Sequence, residues 1–224
     1  MILVYYRLNM EFDLPASGVS MIIVENGEEF ERMCLSASDH VDNVSECFRC
    51  LDDDQNELDL TSYGDCIRSL FDLGFDKRKI QRALLSELTD ALYGSELEGM
   101  IAEIDSKVIE VLESLSVLSE NDIEYTEDYS VSGFLKRYDV RMREPEGSFA
   151  ERLITYCETM HRLVSKRLFF IINCDLYMDA ETIELVHKWA VYQDVSVVFI
   201  SGKQREDLSF IVQYIIDKDL CVIN

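Results

Sequence analysis

The sequence Leu168-Phe169-Phe170-Ile171-Ile172 is an almost wholly apolar run, and Val195-Ser196-Val197-Val198-Phe199-Ile200 is a second one. A helical pattern near residues 179–192 separates the two runs. Apolar runs of this length suit strands that are buried on both faces, and parallel strands need a helix-sized connection between them. The two runs therefore predict a βαβ unit in a parallel sheet that is covered on both sides.

The N-terminal segment continues this pattern of strands and helices. Strands are predicted at residues 3–8 and 20–24, a helix at roughly 28–38, and a last strand at Leu220–Ile223. From about residue 60 the apolar residues recur with a helical period. Helices are predicted over residues 62–73, 76–93, about 25 residues from Ser95, and 130–138, with a short strand at 139–143.

The unit at residues 20–38, together with a later apolar strand, has the pattern of P-loop ATPases, but the phosphate-binding motif is missing. The loop after Val24 reads Glu25-Asn26-Gly27-Glu28-Glu29-Phe30 and contains no Gly-Lys-Ser/Thr. Three carboxylates at a helix N-terminus repel phosphates. The three histidines form no metal-protease spacing, and no Ser or Cys has a nucleophile-elbow sequence, so we expect no enzyme activity.

These patterns predict an α/β fold with one inserted domain. Residues 1–59 and 147–224 would form a degenerate P-loop-like α/β head. Residues 60–146 would form an extended α-helical domain inserted in that head.

The charge balance restricts the classes of partner. The chain has 21 Lys and Arg against 44 Asp and Glu, a net charge of −23. Its average surface should repel nucleic acids and anionic membranes, so nucleic-acid binding requires a local basic face. The N-terminal sequence lacks a signal-peptide pattern, no apolar run is long enough to span a membrane, and seven cysteines are an odd number. We expect a cytoplasmic protein with reduced thiols and no membrane partner.

An acidic segment follows the long predicted helix. Four carboxylates lie within seven residues there: Asp122, Glu124, Glu127 and Asp128. Such a cluster at a chain reversal suits a hard, oxygen-seeking cation such as Ca²⁺. Solvated acids at a helix end are the alternative interpretation.

The basic residues are concentrated in two places. Residues 132–167 contain eight basic and five acidic residues, and the basic ones include Lys136, Arg137, Arg141 and Arg143. A second group is Lys77, Arg78, Lys79 and Arg82. Both groups could form a phosphate-facing patch, because charge interactions decay over about 8 Å at physiological salt. Ordinary helix-surface charge is the alternative.

Several blocks together resemble the CRISPR-associated Csn2 family, the adaptation proteins of type II-A systems. The similar blocks are Glu11 to Asn26, Leu70 to Asp76, Asp122 to Asp128, Lys166 to Asn173 and Gln213 to Asp217. The resemblance implies a degenerate P-loop-like head, an extended helical domain and a homotetrameric ring with a basic hole. Such a ring encircles linear double-stranded DNA at its ends and slides along it without reading sequence.

The same resemblance implies a non-catalytic role in CRISPR spacer acquisition, an antiviral defence, alongside the Cas integrase and the type II effector nuclease. It implies structural Ca²⁺ bound by Asp122, Glu124, Glu127 and Asp128. Lys136 and Arg141 match positions where family members have lysines, whereas Arg137, Arg143 and the group from Lys77 to Arg82 follow from charge alone. An acidic scaffold that binds only proteins is the alternative function.

Overall fold

The computed structural model describes residues 1–42, 47–125 and 130–223. Its strands are β1 (Ile2–Tyr5), β2 (Met10–Asp13), β3 (Gly18–Val24), β4 (Phe48–Leu51), β5 (Glu57–Leu58), β6 (Gly64–Ile67), β7 (Leu168–Ile172), β8 (Ser196–Ser201), β9 (Val212–Ile216) and β10 (Val222–Ile223). Its helices are α1 (Gly27–Asp42), α2 (Leu60–Tyr63), α3 (Arg78–Leu92), α4 (Glu96–Leu118), α5 (Val131–Arg137), α6 (Phe149–Val164) and α7 (Ala180–Tyr192).

The chain divides into two compact units. The first contains Met1–Gly74 and Glu144–Asn224, and the second contains Phe75–Arg143. The sequence-based division placed these boundaries near residues 60 and 146. The first unit holds the described strands, and the second holds α3, α4 and α5.

The first unit is built on a six-stranded sheet with the order β10-β9-β3-β8-β7-β6. The strands from β9 to β6 are parallel, and β10 is antiparallel to β9. The βαβ unit predicted from the two apolar runs is confirmed as β7, α7 and β8, and the α/β fold class is confirmed with it. Since parallel connections are right-handed, α1 covers one face and α7 covers the other.

Side-chain alternation along the strands builds a core on each face of this sheet. Ile22, Phe170 and Val198 pack with Met33 and Ala37 of α1. A second, antiparallel sheet with the order β2-β1-β4-β5 contributes to the same core. Full burial of a side chain such as Phe170 stabilises the fold by roughly 2–3 kcal/mol.

Two predictions of secondary structure from the sequence were wrong, one in each unit. The helix predicted over residues 62–73 is the four-residue α2 followed by the edge strand β6, which pairs in parallel with β7. The strand contains a buried acid, Asp65, whose carboxylate accepts a hydrogen bond from the Tyr156 hydroxyl at 2.8 Å. The strand predicted at residues 139–143 is irregular, because Asp139 leaves α5 with a left-handed φ of 48°.

In its described residues, the second unit contains three helices that contact one another. Helices predicted over residues 76–93, from Ser95 onward and over 130–138 are confirmed as α3, α4 and α5. Ile80, Ile101, Val131 and Leu135 are its buried apolar side chains on these helices. With 23 residues, α4 is about 35 Å long. None of the described helices is long and apolar enough to cross a lipid bilayer.

Candidate nucleic-acid interface

The N-terminus of α1 lies where a P-loop ATPase would hold phosphates. Here side chains of the protein itself form the hydrogen bonds at this position. The Asn26 side chain accepts a hydrogen bond from the Glu29 backbone N–H at 3.1 Å. The buried Glu29 carboxylate accepts hydrogen bonds from the Tyr5 hydroxyl at 2.8 Å and from Arg7 Nε at 3.1 Å. Burial and this carboxylate raise the pKa of Tyr5. The position therefore presents a buried carboxylate instead of a phosphate-binding lysine.

The carboxyl ends of β7 and β8 hold a buried acid, Asp175, in a structural network. Its carboxylate accepts a hydrogen bond from the Ser201 hydroxyl at 3.0 Å, and burial raises its pKa. Arg205 donates to the backbone carbonyls of Asp175 and Met178 at 2.9 and 3.1 Å. These bonds fix the loop after β8 to the end of β7.

In the second unit, α3 and α5 pack against each other and leave a cavity of about 310 Å³ between them. It brings together two of the predicted DNA-binding residues, Arg82 of α3 and Lys136 of α5. The other lining residues are Leu85, Ser86, Thr89, Asp90 and Ser132.

The amphipathic pattern of α3 explains why Arg82 faces outward. Ile80 is buried in the unit, whereas Arg78, Arg82 and Ser86, spaced one turn apart, are exposed. On α5, the Ser130 hydroxyl accepts a hydrogen bond from the Gly133 N–H at 3.0 Å and begins the helix. Lys136 then lies in its last turn and is exposed.

The lining of the cavity carries two basic residues and one acid, in a chain that is acidic overall. Within the described residues, the guanidinium of Arg82 and the ammonium of Lys136 form no ion pair, although Asp90 lines the same cavity. Two unneutralised cations beside one cavity repel each other and attract an anion. Hydroxyl groups of Ser86, Thr89 and Ser132 add hydrogen-bond donors, which suit phosphate oxygens.

The remaining predicted basic residues surround these two helices. Arg78 is exposed at the start of α3, while Lys77 and Lys79 beside it are half-buried. The first turn of α3 contains no acid, so its positive helix end adds to this charge. Arg137 ends α5 and is exposed.

Two further predicted residues, Arg141 and Arg143, are exposed in the irregular segment that follows α5. Arg141 Nε lies 3.6 Å from the Asp139 carboxylate. Since both side chains of that pair are exposed, the contact contributes little to stability.

The predicted metal ligands lie partly outside the described residues. Asp122 and Glu124 are exposed in an irregular segment after α4, and Glu127 and Asp128 fall in the part of the chain that is not described. Over the described residues, no three His, Cys, Asp or Glu side chains are grouped to hold a metal ion. Asp122 and Glu124 supply carboxylate oxygens, the donor type that Ca²⁺ prefers.

Five described cysteines of the α/β unit are buried or half-buried thiols, whereas Cys221 is exposed. Burial raises the pKa values of Cys34, Cys50 and Cys66 to about 12. At neutral pH these thiols are protonated and weakly nucleophilic. Cys50, the second cysteine of the sequence Cys47-Phe48-Arg49-Cys50, thus lacks the low thiol pKa of a redox motif.

Sequence reasoning missed the three hydroxyl residues of the cavity. The helical period indicates two of them, because Ser86 and Thr89 follow Arg82 by four and seven residues and therefore lie on the same face of α3. Ser132 precedes Lys136 by one turn on α5. The packing of α3 against α5, which has no sequence signal, brings the two faces together.

Comparison with known proteins gives one family. A family model described as CRISPR-associated protein (Cas_Csn2) matches residues 42–220. A comparison with curated proteins gives no match.

Proposed function

Because this chain belongs to the Cas_Csn2 family of CRISPR-associated proteins, we propose that it is a non-catalytic, ring-shaped protein that binds the ends of double-stranded DNA without sequence preference and takes part in spacer acquisition. The observation that carries the proposal is the cavity between α3 and α5, where Arg82 and Lys136 form no ion pair with any described residue in a chain of net charge −23. Phosphates are the anions that such a surface would meet on DNA.

The charge distribution favours phosphate contacts that carry no sequence information. Contacts from Arg and Lys to phosphates position a protein on DNA, whereas base-edge contacts specify sequence. The acidic remainder of the surface opposes nonspecific adhesion to DNA. Salt screens the repulsion from these acids over about 8 Å, so a local basic patch still attracts DNA. A ring of four copies multiplies each phosphate contact by symmetry.

Helix α4 supports self-association, because it exposes an apolar stripe. Six apolar side chains on it are between 44% and 80% exposed: Leu97, Met100, Ile104, Val111, Leu115 and Leu118. At 3.6 residues per turn, they lie within about 60° of one another around the helix. An exposed apolar stripe of this kind marks a protein-interaction surface.

The spacing of the stripe has two-fold symmetry. Its six positions are symmetric about the point between Lys107 and Val108, so an antiparallel copy of α4 would place Leu97 against Leu118 and Ile104 against Val111. A two-fold interface requires such self-complementarity. Six side chains at ~100 Å² each from two copies bury roughly 1,200 Å², the lower limit of a standard interface.

Calcium and two protein partners complete the proposal. Asp122 and Glu124, with Glu127 and Asp128, would hold Ca²⁺ through carboxylate oxygens and fix the segment between α4 and α5. The Cas integrase and the type II effector nuclease would act on the same DNA.

A binding experiment with short linear duplex DNA tests this function. The wild-type protein should shift the duplex in the presence of Ca²⁺, and the R82Q/K136Q double variant should bind at least tenfold more weakly, since two phosphate contacts per copy are removed. K188Q is the matched control, because Lys188 is exposed but already paired with Glu184 at 2.7 Å. Absence of a shift by the wild-type protein, with and without Ca²⁺, would contradict the proposal and favour the acidic scaffold.

A further inference from the structure

A terminal phosphate differs from an internal one in how far it protrudes from the DNA and in its charge. An internal phosphodiester of a duplex lies on a convex surface, with a nucleotide on each side of it. The cavity of about 310 Å³ between α3 and α5 is open to solvent, so its two cations are most accessible to a group that protrudes from its carrier. A terminal phosphate monoester protrudes in this way and carries up to two charges at neutral pH.

The donors of the cavity match a phosphate monoester. Arg82 presents a planar fork of N–H groups, and Lys136 presents a compact ammonium from the opposite helix. The hydroxyl groups of Ser86, Thr89 and Ser132 line the same cavity and are further hydrogen-bond donors. Asp90 also lines the cavity, eight residues beyond Arg82 and about 12 Å from it along α3.

Repulsion between the two cations gives the free cavity a preference for dianions. Arg82 and Lys136 have no acidic partner among the described residues. A phosphate monoester offers both cations an oxygen and forms charge-assisted hydrogen bonds, which are the strong class. A diester has one charge and fewer free oxygens, and it gains less.

We infer that this cavity binds a phosphate monoester and that its source is the 5′ phosphate at the end of linear DNA. The assignment to DNA rests on the proposed function, whereas the chemistry of the cavity does not. Binding at this point would make the protein distinguish a phosphorylated DNA end from a hydroxyl end.

The first arm of the test uses inorganic phosphate alone. Binding is followed by ³¹P NMR line broadening at constant ionic strength, with chloride replacing phosphate in the reference. R82Q and K136Q should each weaken phosphate binding about tenfold. Their matched controls are R78Q on α3 and R137Q on α5, which remove one charge from the same helices but do not line the cavity. Equal phosphate binding by all four variants overturns the cavity assignment.

The second arm uses blunt duplexes of one sequence, with 5′-phosphate or 5′-hydroxyl ends, measured by fluorescence anisotropy. The phosphorylated duplex should bind 5- to 10-fold more tightly, and R82Q or K136Q should abolish this ratio. R78Q and R137Q should weaken both duplexes alike and keep the ratio.

The outcomes separate this inference from the proposed function. Equal affinity of the wild-type protein for the two duplexes overturns the assignment to the DNA end and leaves DNA binding intact. Failure to bind either duplex contradicts the proposed function. The first arm still tests whether the cavity binds phosphate, because it uses no DNA.

Discussion

Replacing Ile104 with Glu should dissociate the proposed assembly of copies without unfolding the chain. Ile104 is 44% exposed on α4, so antiparallel pairing would remove ~80 Å² of its surface from water. Two-fold symmetry places the substitution in the interface twice, and the loss is ~160 Å² of apolar burial. At about 25 cal/mol per Å², this costs ~4 kcal/mol, or about 1,000-fold in the dissociation constant. Desolvation of two carboxylates adds to the loss.

Sedimentation equilibrium over a range of protein concentrations measures this change. Val117→Glu is the matched control, because Val117 is 86% exposed on the same helix but lies about 130° from the centre of the stripe. V117E should keep the mass of the wild-type assembly, whereas I104E should sediment with a lower mass. Far-UV circular dichroism should show both variants folded. An unchanged mass for I104E would refute the pairing of α4 stripes.

Three further results are expected. Tyr156→Phe leaves the buried Asp65 carboxylate without its 2.8 Å hydrogen bond and should lower the free energy of unfolding by about 1–3 kcal/mol in urea titrations; an unchanged midpoint would show that this bond is not needed. Burial lowers the pKa of His187, whose Nδ1 accepts from the Val19 N–H at 2.9 Å, so its contribution to stability is present above its ordinary pKa of about 6.5 and lost as pH falls through the lowered value. In thermal melts, lowering the pH from 7.5 to 5.5 should therefore reduce the melting temperature of the wild type more than that of His187→Gln. An equal reduction in both proteins would contradict this. Chelation of Ca²⁺ should lower the melting temperature of the wild type, but not that of a protein with Asp122→Asn and Glu124→Gln; an identical loss in both would place the ion elsewhere.

The parallel sheet could be predicted where apolar burial leaves a continuous pattern. Strands β3, β7 and β8 are buried along nearly their whole length and were recognised from the sequence. The edge strand β6 could not be recognised, because it reads Gly64-Asp65-Cys66-Ile67 and its acid is stabilised by a tyrosine 91 residues away. A long-range hydrogen bond of this kind leaves no local periodicity.

The candidate site could likewise be predicted only in part from the sequence. Charge counting identified Arg82 and Lys136 as separate groups on two helices. Their approach across one cavity depends on the packing of α3 against α5, and only the structure provides it. Helix periodicity alone could have added Ser86 and Thr89, since both share a face with Arg82.

Retention on DNA of different topology tests the proposed ring most directly. The same duplex sequence is prepared in linear and closed circular form, the protein is bound at low salt, and the salt is then raised until simple phosphate contacts dissociate. If copies form a closed ring around DNA, linear DNA should retain a measurable amount of protein after the salt is raised, and that protein should leave only through the free DNA ends. The closed circle should retain none. Equal retention on both forms would show that the protein binds from one side and that no ring encloses the duplex.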